Sequence, residues 1–291
     1  MSSDPGNAPA VVVRDLHKHY GPRRAVDGIS FEVPTGQVFA LLGPNGAGKS
    51  TTVEVLEGYR ARTSGEVVVL GTDPGRPTPA WRSRIGIVAQ STKDLTDLTV
   101  LEVLQQFAAF YPDPRPPEAV VDLVGLADDA RTRAGALSGG RRRRLDVALG
   151  IIGDPDLLFL DEPTTGFDPE ARREFWTLVQ RLAAEGTTIL LTTHYLDEVE
   201  VLADALAVID HGRIVATGTP ATLAGRDTAP ATVRWRDPDR GWRSERTAEP
   251  AAFVARLHAG GGEPDGLTVH RPTLEDTYLE LLRTPAAEVT R

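Results

Sequence analysis

At 291 residues, with 41% hydrophobic and 25% charged content, the chain can hold one large domain, or one domain and a small appendage. A formal net charge of −9 argues against nonspecific binding to polyanions, though it leaves room for a local basic patch. The absence of cysteine excludes disulfides, thiol catalysis and thiolate metal sites, and the six histidines show no paired metal-ligand spacing.

Residues 1–10 have neither a basic start nor an apolar core, so they read as a flexible N-terminus and not as a signal peptide. Short strands are expected over Val11 to Arg14 and Ile29 to Val33, with Tyr20 and Gly21 in the loop between them. The apolar run Val38 to Leu42 then meets a glycine-rich turn and a helix-compatible stretch that ends near Gly58. Gly65 to Leu70 is a further strand, and Ile85 to Ala89 a strand that delivers Gln90. Thr99-x-x-Glu102 is a capping-box pattern opening an amphipathic helix to Tyr111; a second helix runs from Glu118 to Leu126. Ser91 to Ala136 is thus a mostly helical insertion.

A helix opens at Leu137-Ser-Gly-Gly-Arg141 and runs to about Ile152. Leu157 to Leu160 has the look of a buried strand ending in Asp161-Glu162. Asp168-Pro169 is an N-cap and N1 pair for a helix ending at Gly186. Thr188 to Thr193 is the next buried strand, with His194 at its end, and a helix follows. Leu206 to Ile209 and Arg213 to Thr217 form a hairpin across Asp210-His211-Gly212. Composition shifts near Gly225, and the remainder carries strands at Ala231 to Arg236, Trp242 to Thr247 and Leu267 to His270. Helices are expected at Pro250 to His258 and Thr273 to Leu282. Strands alternating with helices predict an α/β fold with a mostly parallel sheet, whose ligands sit at the carboxyl ends of strands. Gly43, Asp161 and His194 all follow strands, so three remote segments can converge on one ligand.

The turn Gly43, Pro44, Asn45, Gly46, Ala47, Gly48, Lys49, Ser50, Thr51 fits the phosphate-cradle pattern in its required strand–turn–helix context. A polyphosphate needs several converging backbone N–H groups, which glycines permit, and the helix N-terminus adds partial positive charge. Lys49 can reach the β- and γ-phosphates, and the Ser50 hydroxyl can serve Mg²⁺. Of the adjacent carboxylates Asp161 and Glu162, which strand alternation should point apart, one can hold Mg²⁺ while the other faces water as general base. Gln90 could offer its amide oxygen to Mg²⁺ or water, and His194 could donate to a γ-phosphate. Ser138, Gly139 and Gly140 make a second anion-binding helix start. One γ-phosphate does not need two such termini from one subunit, so the redundancy suggests a second copy. Arg141 to Arg144 read as a solvated run pairing outward, with Arg142 and Asp146 four apart.

Taken together, Val11 to about Thr222 closely resembles the ATP-binding subunit of ABC transporters. The likeness rests on the Gly43–Thr51 turn, Gln90, Leu-Ser-Gly-Gly-Arg141, the Asp161-Glu162 run, Gly166-Phe-Asp168 and His194, in that order. In type it is similar to the antibiotic-resistance, daunorubicin-exporter-like ATPases, through Thr164–Pro169, His211–Val215 and Arg271–Asp276. The resemblance implies a P-loop NTPase core with an antiparallel β part. It places an ABC-type nucleotide-binding domain over 11–225, a helical subdomain within it over about 91–152, and a small accessory domain over 226–291. It further implies ATP and Mg²⁺ as cofactors. Tyr20 would stack on adenine; Lys49, Ser50 and Gln90 would hold phosphates and Mg²⁺, with Asp161 on the metal. Glu162 would polarise water and His194 would contact the γ-phosphate. Ser138 and Gly140 would close over ATP held by the other subunit of a homo- or heterodimer, and Asp168 would link the two sites. The helical insertion would receive a helix of a separate membrane permease, placing the chain on the cytoplasmic face of the membrane. Arg141 stands where the family's signature has glutamine, and activity is expected to survive the change. The rival, a non-transport ABC-type ATPase acting on nucleic acid or translation, would usually carry a long coiled-coil or zinc insertion or tandem ATPase units. A P-loop kinase would leave Leu-Ser-Gly-Gly and His194 unexplained.

Overall fold

The structure, a computed structural model, describes residues 8–88, 96–237, 240–259 and 264–283. The chain divides into two compact units, Met1–Val215 and Ala216–Arg291, so the composition change at Gly225 lies inside the second.

The first unit begins with an antiparallel sheet of β1 (Val11–Tyr20), β2 (Arg23–Val33) and β4 (Ser64–Val69), in the order β2-β1-β4. β1 and β2 are longer than their apolar runs predict, and Tyr20 is the last residue of β1 instead of a loop residue. Their polar ends pair as backbone, His17 opposite Asp27 and Tyr20 opposite Arg23, which hydrophobic periodicity does not register.

The main sheet has the order β5-β6-β7-β3-β8-β9. Its strands are β3 (Val38–Leu42), β5 (Ile85–Val88), β6 (Leu157–Asp161), β7 (Thr188–Thr193), β8 (Ala205–Asp210) and β9 (Arg213–Gly218). β5, β6, β7, β3 and β8 run parallel, as the α/β alternation requires. β9 returns through a two-residue turn, His211-Gly212, in which both residues have positive φ (46° and 77°), the backbone a tight hairpin demands. All of β3 and β7 and nearly all of β6 are buried, which explains the apolar runs Val38–Leu42, Leu157–Leu160 and Ile189–Leu191.

Helix α1 (Lys49–Leu56) leaves the glycine turn, and its Val53 and Leu56 join a core with Leu16, Ile29, Phe31, Phe39 and Phe159. The Phe31 and Phe39 rings stack at 5.4 Å, tying the two sheets together. Each such fully buried side chain contributes about 1.5–3 kcal/mol. A short helix, α2 (Pro79–Arg82), starts where proline punctuation alone is legible; Thr78 caps it, and Trp81 donates to the Val69 carbonyl at 2.9 Å.

The helical insertion holds α3 (Val100–Ala108) and α4 (Pro117–Leu123), with 3₁₀ turns at 127–129 and 134–136. The Thr99–Glu102 capping box is formed in both directions, but α3 ends three residues before Tyr111. Next come α5 (Gly139–Ile151), α6 (Pro169–Ala184) and α7 (Leu196–Leu202). Asp168 caps α6, accepting from Glu170 N at 3.0 Å and Ala171 N at 2.8 Å, as its pairing with Pro169 predicts.

The second unit is an antiparallel sheet, β11-β10-β12, with two helices. The strands are β10 (Ala231–Asp237), β11 (Gly241–Thr247) and β12 (Asp265–His270); the helices are α8 (Pro250–Ala259) and α9 (Leu274–Arg283). Trp235 of β10 meets Phe253 of α8 at 5.5 Å. Arg226 donates to the carbonyl of Pro272, holding the Arg271–Asp276 stretch to the start of the unit.

Candidate active site

Parallel register sets the geometry. Leu42 pairs with Thr193, and Asp161 pairs with Thr192, so β3, β6 and β7 end at one edge of the sheet. The residues that follow, Gly43, Glu162 and His194, therefore emerge together.

The turn after β3 is pressed onto β8. A Cβ at Gly43 would lie 2.2 Å from the Ile209 carbonyl oxygen, so no other residue fits there without moving the backbone. Gly48, at φ 112°, is the N-cap of α1, and its own missing Cβ makes room for the Ala25 carbonyl at 2.6 Å. The Gly212 amide donates to the Ala47 carbonyl at 2.9 Å, and Ala47 N donates to Pro44 O at 3.2 Å. A cleft of about 310 Å³ opens here, lined by Arg23 and Ala25 of β2, Asn45, Gly46, residues Gly48 to Thr51, and Glu162.

Inside it, Lys49 is 4% exposed and its ammonium donates to the carbonyls of Gly43 (2.8 Å) and Pro44 (3.3 Å). The same Nζ lies 3.4 Å from Oε1 of Glu162, and Nδ1 of His194 approaches that oxygen at 3.4 Å from the other side. The Ser50 hydroxyl donates to Asp161 Oδ1 at 3.3 Å. Two oxygens facing one another this way are a donor set suited to a hard divalent cation.

Asp161 and Glu162 diverge, but not through strand alternation. β6 stops at Asp161, and Glu162 has φ 45°, a left-handed backbone that costs an L-residue roughly 1–2 kcal/mol. Two groups that the sequence does not advertise hold it there. Thr192 accepts from Glu162 N at 3.1 Å while its hydroxyl donates to Asp161 Oδ1. Arg143 of α5 is buried, and its guanidinium donates to the carbonyls on either side of Glu162, Pro163 at 3.0 Å and Asp161 at 3.2 Å. Burial holds the Arg143 pKa below its ordinary value, with the carboxylates of Asp146 and Asp161 opposing that shift.

The arginine run is accounted for inside the fold. Arg141 pairs with Asp129 at 3.0 Å, Arg142 lies 3.9 Å from Asp146, and Arg144 pairs with Glu174 and donates to Gly125 O. Arg141, the departure from the usual signature, thus turns its side chain away to Asp129.

Ser138, Gly139 and Gly140 start α5 but do not line the cleft. Ser138 caps the helix through Arg141 N at 3.5 Å, and a Cβ at Gly139 would meet nothing within 4 Å. Tyr20 is 39% exposed, with Lys18 Nζ 4.9 Å and Arg60 Cζ 5.5 Å from its ring centre. Gln90 lies outside the described residues.

The ABC transporter family profile matches residues 26–165. The Nod factor export ATP-binding protein I of Ralstonia nicotianae is 46% identical over 225 residues, covering 75% of this chain and 70% of that protein. The daunorubicin resistance ATP-binding protein DrrA3 of Streptomyces coeruleorubidus is 37% identical over 302 residues, covering 94% of this chain and 95% of its own. Among solved structures, an ATP-binding cassette of an ABC transporter in its ADP conformation superposes with a TM-score of 0.65 at 27% identity, over 73% of this chain and 91% of that one. With its glycine-rich turn, acidic strand end and histidine gathered at one sheet edge, the chain belongs to the ABC transporter family, as one of its ATP-binding ATPase subunits.

Proposed function

We propose that the chain powers export of a small molecule, such as a drug, antibiotic or lipid-like compound, through a separate membrane permease. The relatives named for Nod factor export and daunorubicin resistance support this reading. Among the described residues no helix is long and apolar enough to cross a membrane. In this reading the path for the substrate belongs to a partner. Association with that permease puts the chain at the cytoplasmic face of the membrane, and the helical insertion is the element we assign to receive it.

In the hydrolytic step, the Glu162 carboxylate accepts a proton from water as it attacks the γ-phosphorus, the bond from that phosphorus to the β–γ bridging oxygen breaks to release ADP and phosphate, and His194 donates a hydrogen bond to the γ-phosphate. Lys49 exchanges the carbonyls of Gly43 and Pro44 for phosphate oxygens. Ser50, Asp161 and Gln90 would hold Mg²⁺, which supplies charge neutralisation at the phosphates. Tyr20 offers an aromatic face to adenine. Ser138, Gly139 and Gly140, absent from the cleft lining, act on ATP held by a second copy, and Asp168 links the two sites.

One observation carries this reading: Lys49 and His194 approach a single oxygen of Glu162, each at 3.4 Å. Glu162→Gln tests it. The variant should keep ATP binding, lose nearly all turnover and accumulate as an ATP-bound dimer. Hydrolysis at the wild-type rate would remove Glu162 from the base role.

A further inference from the structure

We propose that His17, His19 and Asp27 form a binding site for a divalent transition metal ion, with zinc the best match to the donors. The site lies on the β1–β2 hairpin, apart from the phosphate cleft. Spacing alone marks no ligand pair among the histidines, but β1 runs on to Tyr20, and strand alternation there puts His17 and His19 on one face, while the register sets Asp27 directly opposite His17. One ligand atom from each of the three comes within 4.8 Å of the others.

The polarity of the cluster is what demands a cation. Nε2 of His17 lies 3.1 Å from Asp15 Oδ1, and Nδ1 lies 3.4 Å from Asp27 Oδ1. A neutral imidazole carries one N–H. If Asp15 accepts that proton, the Nδ1 lone pair faces a carboxylate oxygen with nothing between them. Metal bonds of about 2.0–2.1 Å to two atoms 3.4 Å apart enclose about 110°, the tetrahedral angle. The third donor is Nε2 of His19, which is buried and has no hydrogen-bond partner among the described residues. Asp15 then plays the part that carboxylates play behind metal-bound histidines, fixing the tautomer and raising the basicity of the ring.

The surroundings are compatible. Arg213 grips Oδ2 of Asp27 at 2.8 Å, leaving Oδ1 toward the histidines. That contact also holds the Asp27 pKa below the ordinary carboxylate value. Arg24 NH1, 3.3 Å from Oδ1 and 65% exposed, is the group that must swing away. A metal here would staple the end of β1 that carries Tyr20. The rival account is a protonated His17 bridging Asp15 and Asp27.

The test uses the full chain, stripped with chelator and free of nucleotide, titrated first with Co²⁺ and then with Zn²⁺. One equivalent of Co²⁺ should produce the intense visible absorption of a four-coordinate ion, and Zn²⁺ should abolish it. Asp15→Asn should weaken Zn²⁺ binding about 10–100-fold, and His19→Ala, which sacrifices no hydrogen bond, by more than about 100-fold. His211→Ala, at a side chain 95% exposed, should change nothing. No stoichiometric binding, with both His17 ring nitrogens protonated by NMR at neutral pH, would make the cluster an imidazolium bridge and overturn the proposal. Undiminished Zn²⁺ binding by His19→Ala, or a loss in His211→Ala, would also overturn it.

Discussion

Replacing Arg143 with methionine, which keeps most of the length and removes the guanidinium, should separate binding from turnover. The wild-type side chain satisfies the carbonyls of Asp161 and Pro163 and lies 3.9 Å from Asp146, itself shared with Arg142. Each carbonyl left unpaired in the interior costs about 1–3 kcal/mol. Part of this is offset because a charge no longer has to be buried. We expect a net stability loss of about 2–4 kcal/mol by urea unfolding. The kinetic effect follows from strain: Glu162 is held at φ 45°, and once its neighbours are released it can relax by roughly 1–2 kcal/mol and carry Oε1 away from Lys49 and His194. A displacement near 1 Å lowers kcat by about 100-fold, or about 2.7 kcal/mol of barrier. ATP affinity, which we assign to the glycine turn, should stay within about threefold of wild type, since Arg143 binds only the backbone carbonyls of Asp161 and Pro163 there, and the Asp161 carboxylate keeps its contact with Ser50. Single-turnover hydrolysis at saturating ATP, beside nucleotide binding, reads both effects. A folded Arg143→Met protein that hydrolyses at the wild-type rate would refute the claim that α5 holds Glu162 in the geometry we assign to catalysis.

Ser138→Arg should block hydrolysis while an isolated copy still binds nucleotide; normal turnover would dispose of the two-copy site. Gly43→Ala forces a Cβ against the Ile209 carbonyl and should cost about 1–3 kcal/mol of stability along with ATP affinity, read by denaturation and nucleotide titration. Glu57, half-buried with Asp161 and Glu54 nearby, has its pKa raised by desolvation from 4.5 to about 8. The native state therefore holds this proton more tightly than the unfolded chain. Its contribution is complete below pH 4.5 and is lost as pH rises toward 8, an upper bound of about 5 kcal/mol that residual hydration reduces to roughly 2–3. Glu57→Gln should therefore gain stability at pH 8 and flatten the profile between those limits; an unchanged profile would show that Glu57 is ionised throughout.

Chemistry confined to a few neighbouring residues was legible in the chain. The Gly43–Thr51 turn, the Thr99–Glu102 box and the Asp168-Pro169 cap each work through backbone groups within about one helical turn, so their spacing suffices to find them. Buried strands such as Leu157–Asp161 announced themselves by unbroken apolar runs, although Asp161 itself, as the strand's last residue, did not. What stayed hidden acts across the fold. Nothing local to Arg143 tells that its guanidinium reaches Asp161 and Pro163, because the run Arg141–Arg144 looks the same at each position. Thr192 likewise reads as an ordinary strand residue until parallel pairing sets it beside Asp161. The extension of β1 to Tyr20 was missed because polar side chains there pair across the hairpin instead of facing the core.

The His211-Gly212 turn has a consequence for how this chain can vary. Hairpin tips are ordinarily where extra residues enter a protein at little cost. Here the tip is a buttress, for Gly212 N binds Ala47 O, Asp27 N binds Gly212 O, and Ile209 fills the space left by Gly43. A longer connection would lift the prop from beneath the Gly43–Thr51 turn, so new sequence has to enter elsewhere.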